Sequence, residues 1–325
     1  MKSSFIYIQA FILCALLFHL LPFEAYAQER VPMECETYKY VERDSALYLD
    51  VYKPVVPRAD KAAVITLFGG GFFLGTRNNH FMKDNIHALI EKGFTVISID
   101  YRLGLRDSAM VATHKKLTKA TRLFEYCVDI AVRDCAAAIA WTCANAEKLD
   151  IDPTRIILTG SSAGAITVLQ LDYCRVNSYD EVSELPQGWK PAAVVPYSGG
   201  ILCHKRDLKY AAEPAPTMLM HGTKDKIVAY KSFGLPFNSK LFGAKRVDKI
   251  MNRQDIPHWI IRFEGAEHEV ATWLPGSIDL FSTFVDLTLS GRVTTLDAVM
   301  TDSNLKPNRW TGMNVIQMYA GGGRR

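Results

Sequence analysis

Three nearly continuous apolar runs constrain this chain most: residues 62–68 (AAVITLF), 94–100 (FTVISID) and 155–159 (RIILT). Runs of this length and β-branched content suit strands buried on both faces of a sheet. Between them lie stretches of helical period. Residues 81–92 form one, stopped by Gly93, and residues 118–149 form another, with Phe124, Cys127, Val128, Ala131, Cys135 and Ile139 on one face. The alternation continues with helices at 163–174, 243–253 and 277–289 and strands at 192–197, 217–220 and 259–263. Strands alternating with helices imply a mostly parallel sheet with helices on both faces. Residues 37–43 and 46–52 alternate in hydrophobicity and read as a hairpin at a sheet edge. No repeat or Pro/Gly/Ser-rich linker divides residues 28–292, which are expected to form one domain. The tail, residues 293–325, carries no readable element.

Composition fits this picture. Of 325 residues, 49% are hydrophobic and 22% are charged, as in ordinary globular proteins, which excludes disordered, collagen-like and coiled-coil chains. The net charge of +4 is scattered, and without a basic stripe nucleic acid is not an expected partner. A mean hydropathy of +0.01 is too low for a multi-span membrane protein. No His/Cys/Asp cluster has ligand spacing, so no metal is expected. Lys2, the apolar run 5–21 and Ala25-Tyr26-Ala27 form the positive start, apolar middle and A-x-A end of a secretory signal peptide, cleaved after Ala27. This predicts a secreted or periplasmic protein without stable membrane insertion. An uncleaved anchor is the alternative, although 17 residues stand at the short limit for spanning a bilayer.

Four short segments at predicted strand ends carry the chemistry. Gly160-Ser161-Ser162-Ala163-Gly164 is a G-x-S-x-G pentapeptide between a strand and a helix. Such a turn exposes the central hydroxyl, and its glycines remove Cβ atoms that would clash. Gly69-Gly70-Gly71 follows the first buried strand, and the N–H groups of Gly70 and Gly71, with that of Ala163, are candidates for an oxyanion hole. Asp225 lies just past strand 217–220 and His268 just past strand 259–263. In a parallel sheet these carboxyl ends share one edge, so Ser162, Asp225 and His268 can converge. His221, beside Gly222, suggests a backbone brace. His258 precedes its strand and belongs at the opposite edge. His80, His87, His114 and His204 lie in segments without a catalytic pattern.

On these residues the chain resembles an α/β-hydrolase, with the order Ser…Asp…His. It is most similar to the branch containing carboxylesterases and bacterial feruloyl and acetyl esterases. The strings Leu49-Asp50-Val51-Tyr52-Lys53-Pro54, Phe68-Gly69-Gly70-Gly71-Phe72, Asp100-Tyr101-Arg102-Leu103 and Asp152-Pro153 support this. The resemblance implies a mostly parallel eight-stranded sheet, no cofactor, and Ser162 as nucleophile, Asp225 as acid and His268 as base. Two positions depart from the pattern. Phe68 stands where such chains usually have His, and Ser161 precedes the nucleophile where the hormone-sensitive-lipase branch usually has Asp. Two other readings share the fold. A serine exopeptidase usually carries a large N-terminal propeller, whereas only residues 28–61 precede the first buried strand. A non-catalytic binding relative is expected to have lost part of the triad.

The expected substrate is a small-molecule or oligosaccharide ester, with acetyl or feruloyl groups on carbohydrate favoured over long-chain lipid. No long apolar insertion follows the oxyanion loop or Tyr197 to make a large lid. Phe72, Phe73, Tyr101 and Tyr197 near strand ends are candidate pocket residues. A histidine base of ordinary pKa also predicts activity falling below pH ~6.5. Six cysteines remain beyond the signal segment. Cys127, Cys135 and Cys143 lie eight residues apart on one helical stretch, about 12 Å per step, too far to pair with one another. The helix ends allow Cys143–Cys174 and Cys127–Cys203. The alternative is buried thiols packed as small apolar groups.

Overall fold

A computed structural model describes residues 33–106, 117–203, 208–315 and 317–318. The signal-peptide expectation for residues 1–27 lies outside the described residues, as do His114 and His204.

The main sheet has nine strands in the order β1-β2-β4-β3-β5-β6-β8-β11-β12. β1 (Cys35–Glu42) and β2 (Ala46–Tyr52) form the expected edge hairpin. β2 runs antiparallel to β4 (Thr95–Ile99). Every pairing beyond β4 is parallel: β3 (Ala63–Leu67), β5 (Ile156–Ser161), β6 (Ala193–Tyr197), β8 (Thr217–Gly222), β11 (His258–Phe263) and β12 (Leu296–Met300). The central strands are buried along their whole length, which is why their sequences are apolar runs without a polar face. The longer helices are α1 (His80–Glu91), α2 (Leu117–Ala144), α3 (Ala163–Val176), α4 (Ala244–Arg253) and α5 (Ile278–Leu289), and a single turn, Ala146–Leu149, follows α2. α1 begins at an Asn79 cap, whose side-chain oxygen accepts from Met82 N at 3.2 Å. α3 packs against both the sheet and α2, and all its residues but Arg175 are buried. No helix of the described residues is long and apolar enough to cross a membrane.

The structure departs from the sequence reading in three places. The sheet has nine strands where the resemblance implied eight, because the tail supplies β12 beside β11. A separate antiparallel sheet, β7 (Gly200–Cys203), β10 (Lys240–Gly243) and β9 (Ser232–Gly234), was not legible. Its Ile201, Leu202, Leu241 and Phe242 are buried in the core, and Leu202 N donates to the buried Gln170 side chain of α3 at 2.8 Å.

The third departure concerns the cysteines. All six described ones are thiols, so the pairings Cys143–Cys174 and Cys127–Cys203 are not formed. Their sulfurs face other neighbours. A Cβ on Gly104 would lie 2.7 Å from the Cys127 sulfur. Cys174 receives Gln170 Nε2 at 3.7 Å, and Cys203 lies 3.7 Å from the Tyr173 hydroxyl. Burial pushes Cys127 and Cys174 up to about 12 and Cys143 up to about 11, far from thiolate chemistry at neutral pH. Alkylation of the denatured, unreduced chain is therefore expected to modify every cysteine from Cys35 to Cys203. A disulfide-linked peptide pair in the digest would contradict this.

Two of the diagnostic strings turn out to be structural. Arg77, just beyond the Gly69–Gly71 loop, forms ion pairs with Asp50 at 2.9 Å and Asp100 at 2.6 Å. Arg102 pairs with the fully buried Asp134 at 2.9 Å. The buried carboxylate of β2 and the half-buried one at the β4 end thus fix the chain that leaves the glycine loop, and a buried charge is tolerated only when so paired.

Candidate active site

The turn after β5 puts Ser162 at φ 51° and ψ −112°, a sterically strained conformation for a non-glycine residue. The flanking glycines make this turn possible. A Cβ on Gly160 would lie 2.5 Å from Gly164 C, and one on Gly164 would lie 2.4 Å from Leu67 O. Side chains there would drive α3 off the sheet. Ser162 N donates to Tyr197 O at 2.9 Å, tying the turn to the end of β6. The hydroxyl lies 2.8 Å from His268 Nε2.

His268 opens a 3-10 turn (His268–Thr272) beyond β11. Its Nδ1 lies 2.7 Å from Asp225 Oδ2. Because a carboxylate only accepts, Nδ1 carries the proton and Nε2 is left to accept from the serine hydroxyl. Asp225 follows β8, and its Oδ1 accepts from Ile227 N at 2.9 Å and Val228 N at 3.1 Å. Burial alone would raise this carboxyl. Electrostatic attraction to the His268 ring and the hydrogen bonds from His221 and His268 outweigh it and hold the group well below the usual carboxylate range. His221 Nε2 also donates to Val228 O at 2.8 Å and lies 3.3 Å from Asp225 Oδ2, a brace for the turn that carries Asp225.

Ser162, His268, Gly70 and Gly71 line one cavity of about 250 Å³. Ala163 begins α3 directly after Ser162, where a first-turn N–H has no partner within its own helix. Gly70 sits at φ 136°, and a Cβ there would lie 1.8 Å from Leu74 O. Gly70→Val is therefore expected to move the loop and lower kcat by about 10²–10³, as for loss of an oxyanion donor. An unchanged kcat would remove Gly70 from the hole. Phe68 takes the place of the usual histidine with its ring stacked on Tyr101, centroids 4.4 Å apart. Tyr101 also donates its hydroxyl to Phe68 O at 2.7 Å, which braces the start of the loop.

The pocket candidates Phe72, Phe73, Tyr101 and Tyr197 do not line the cavity. Phe72 and Tyr101 are core residues in edge contact with each other. Phe73 is partly buried and packs against the core. The Tyr197 hydroxyl lies 2.9 Å from Ser277 Oγ, away from the site. Lying near a strand end does not fix which way a ring turns, and these rings turn into the packed layers. The walls are instead Phe68, Leu74, Phe81, Met82, Trp310 and Met318, with Asn79, His80 and Asn85 as polar members. The α1 members follow an N-cap that is visible in the sequence. Nothing in the sequence shows that this helix start faces Ser162. Arg309, Trp310 and Met318 come from the tail, so part of the cavity wall comes from neither the oxyanion loop nor the segment after Tyr197.

Residues 49–177 match the family model described as BD-FAE. The chain is 32% identical over 106 residues to Lipase 2 of Moraxella sp., covering 32% of this chain and 20% of that one. It is 27% identical over 174 residues to Esterase E4 of Myzus persicae, covering 51% and 27%. Over 114 residues it is 32% identical to Carboxylesterase NlhH of Mycobacterium tuberculosis, covering 35% and 30%. The chain thus spans less than a third of the length of each of these relatives. Among solved structures, Thermogutta terrifontis esterase 2 phosphoramylated by tabun aligns with a TM-score of 0.55 at 20% identity, over 82% of this chain and 98% of that one. The propionate-bound structure of that esterase aligns with a TM-score of 0.54 over 80% and 95%, also at 20% identity. With the sheet order and the turn after β5, this likeness gives the chain the α/β-hydrolase fold.

Proposed function

We propose that the chain is a secreted serine esterase acting on short-chain or aromatic carboxylic esters, with acetyl or feruloyl groups on carbohydrate as its substrates. The hydrogen-bonded series Ser162–His268–Asp225, on a strained turn opening into a cavity, carries the proposal. Ser162 Oγ attacks the ester carbonyl carbon while His268 Nε2 takes its proton. Asp225 holds the imidazole in the accepting tautomer and stabilises its charged form. The oxyanion is met by the N–H groups of Gly70, Gly71 and Ala163. His268 then protonates the leaving alcohol. It next takes a proton from water, which attacks the acyl-enzyme and frees the acid and Ser162.

The substrate reading rests on cavity size and wall chemistry. About 250 Å³ falls below the common range of ligand pockets, about 300–1,000 Å³, which favours a compact acyl group over a long chain. Phe68, Phe81 and Trp310 offer rings to an aromatic acyl group or a sugar face. Esterase 2 of T. terrifontis has structures with propionate and with butyrate bound, and the BD-FAE match points toward feruloyl-type esters. Secretion rests on the pattern of residues 1–27. The test is a ladder of aryl esters from acetate to palmitate beside acetylated and feruloylated xylan oligosaccharides. Turnover is expected to fall with chain length, with acid released from at least one oligosaccharide. Fastest turnover on the long chains and no release from either oligosaccharide would overturn the substrate reading.

A further inference from the structure

Among the described residues, the lining of the cavity beside Ser162 is almost without charge. Among the described residues lining it, Arg309 is the one side chain with a permanent charge, and no Asp or Glu lines it. Among the described residues no carboxylate pairs with Arg309. Its guanidinium is held over the Trp310 ring, 4.4 Å from the centroid. That contact engages the face of the guanidinium. Its N–H donors lie in the plane, in the fork that suits a carboxylate.

The loop carrying Arg309 is tied down. Asn308 Oδ1 accepts from Trp310 N at 2.9 Å, and Asn308 N donates to Thr311 Oγ1 at 3.0 Å. The loop is also fastened to the chain on either side of His268. Thr311 Oγ1 donates to Glu269 Oε2 at 3.1 Å, and Gly312 N donates to Glu267 Oε2 at 2.5 Å. These are the acidic groups nearest His268 in sequence. Both are committed to holding the loop, and neither lines the cavity. An exposed arginine usually belongs to the solvated surface. This one is placed by a tethered loop at the wall of the cavity that contains the nucleophile, where no other described side chain carries a permanent charge.

We propose that Arg309 is a recognition point for a carboxylate carried by the ester, so that the site selects anionic esters over their neutral counterparts. The proposal deepens the esterase reading and rests on it. An acylated oligosaccharide bearing a uronic acid has this chemistry, with the sugar face available to Trp310.

Two pairs, each a carboxylate and its neutral methyl ester, test it, with release of the phenol as the readout: 4-nitrophenyl hydrogen adipate against its methyl ester, and 4-acetoxybenzoate against methyl 4-acetoxybenzoate. The first pair puts the carboxylate on the acyl side and the second on the leaving side. The protein and its Arg309→Met, Arg309→Glu and Arg309→Lys variants are compared by kcat and KM. In at least one pair, Arg309→Met is expected to lower the preference for the anionic member by about tenfold, the worth of one charge-assisted hydrogen bond, and to do so through KM. Arg309→Glu is expected to lower it further, and Arg309→Lys to restore part of it. An unchanged preference in both pairs for the Met and Glu variants, with turnover intact, overturns the role of Arg309 and leaves the esterase reading standing. Absence of turnover on all four esters in the unaltered protein overturns the esterase reading and this proposal with it.

Discussion

Replacing Ser162 or His268 by alanine is expected to lower kcat by about 10⁶-fold, as when one member of a catalytic unit is removed. The hydroxyl and Nε2 are 2.8 Å apart in a buried setting, so neither has a substitute. The fold is expected to survive both changes. Alanine meets the same backbone strain at position 162 as serine does, and the Ser162 side chain makes no cap bond to α3. In His268→Ala, the buried Asp225 keeps the Ile227 and Val228 N–H groups and His221. Circular dichroism and thermal melting confirm the fold, and steady-state rates on a short aryl ester give the loss. A folded variant retaining turnover near that of the unaltered protein would contradict the assignment.

Asp225→Asn is expected to cost about 10⁴-fold in kcat with little change in KM. The amide preserves shape but presents an N–H₂ to His268 Nδ1. The imidazole then carries its proton on Nε2, where it donates to Ser162 and cannot accept. The same substitution has a signature in stability. The folded-state pKa of Asp225 is depressed, so its ionised form stabilises the fold above the unfolded value of about 3.9, and that contribution disappears as pH falls through the folded value. The stability gap between the unaltered protein and Asp225→Asn is therefore expected to be widest above pH ~4 and to narrow below it. Urea midpoints between pH 2 and pH 7 measure the gap. A gap independent of pH would mean that the carboxyl is not held ionised.

Much of this was legible because it is local. Buried parallel strands must be apolar along their length, so β3, β4, β5 and β6 appear within one or two residues of their bounds. The serine turn needs small neighbours where α3 crosses β3, and Gly160 and Gly164 spell that need. Asp225 and His268 follow strand ends, and parallel strands place those ends at one edge. What escaped depends on tertiary placement. β12 (LDAVM) has no buried residue and its short apolar run is interrupted by Asp297, so it has neither the run of a central strand nor a clean alternation. The loop around Trp310 has no periodicity, and its tie to Glu267 and Glu269 joins residues more than 40 positions apart. Tyr101 and Tyr197 illustrate the converse error. Their chain positions suit a pocket, yet their hydroxyls bond Phe68 O and Ser277 on the packed side. The helix ends allowed cysteine pairs whose sulfurs face Gly104, Gln170 and Tyr173 instead.

The central claim is that Ser162 is an activated nucleophile, and a fluorophosphonate probe tests it most directly, because only a serine with a working base is phosphonylated at neutral pH. Intact mass and peptide mapping after brief exposure are expected to show one adduct per chain, on Ser162, abolished in Ser162→Ala and strongly slowed in His268→Ala. A native chain that takes up no probe, or one labelled equally in Ser162→Ala, would contradict the account.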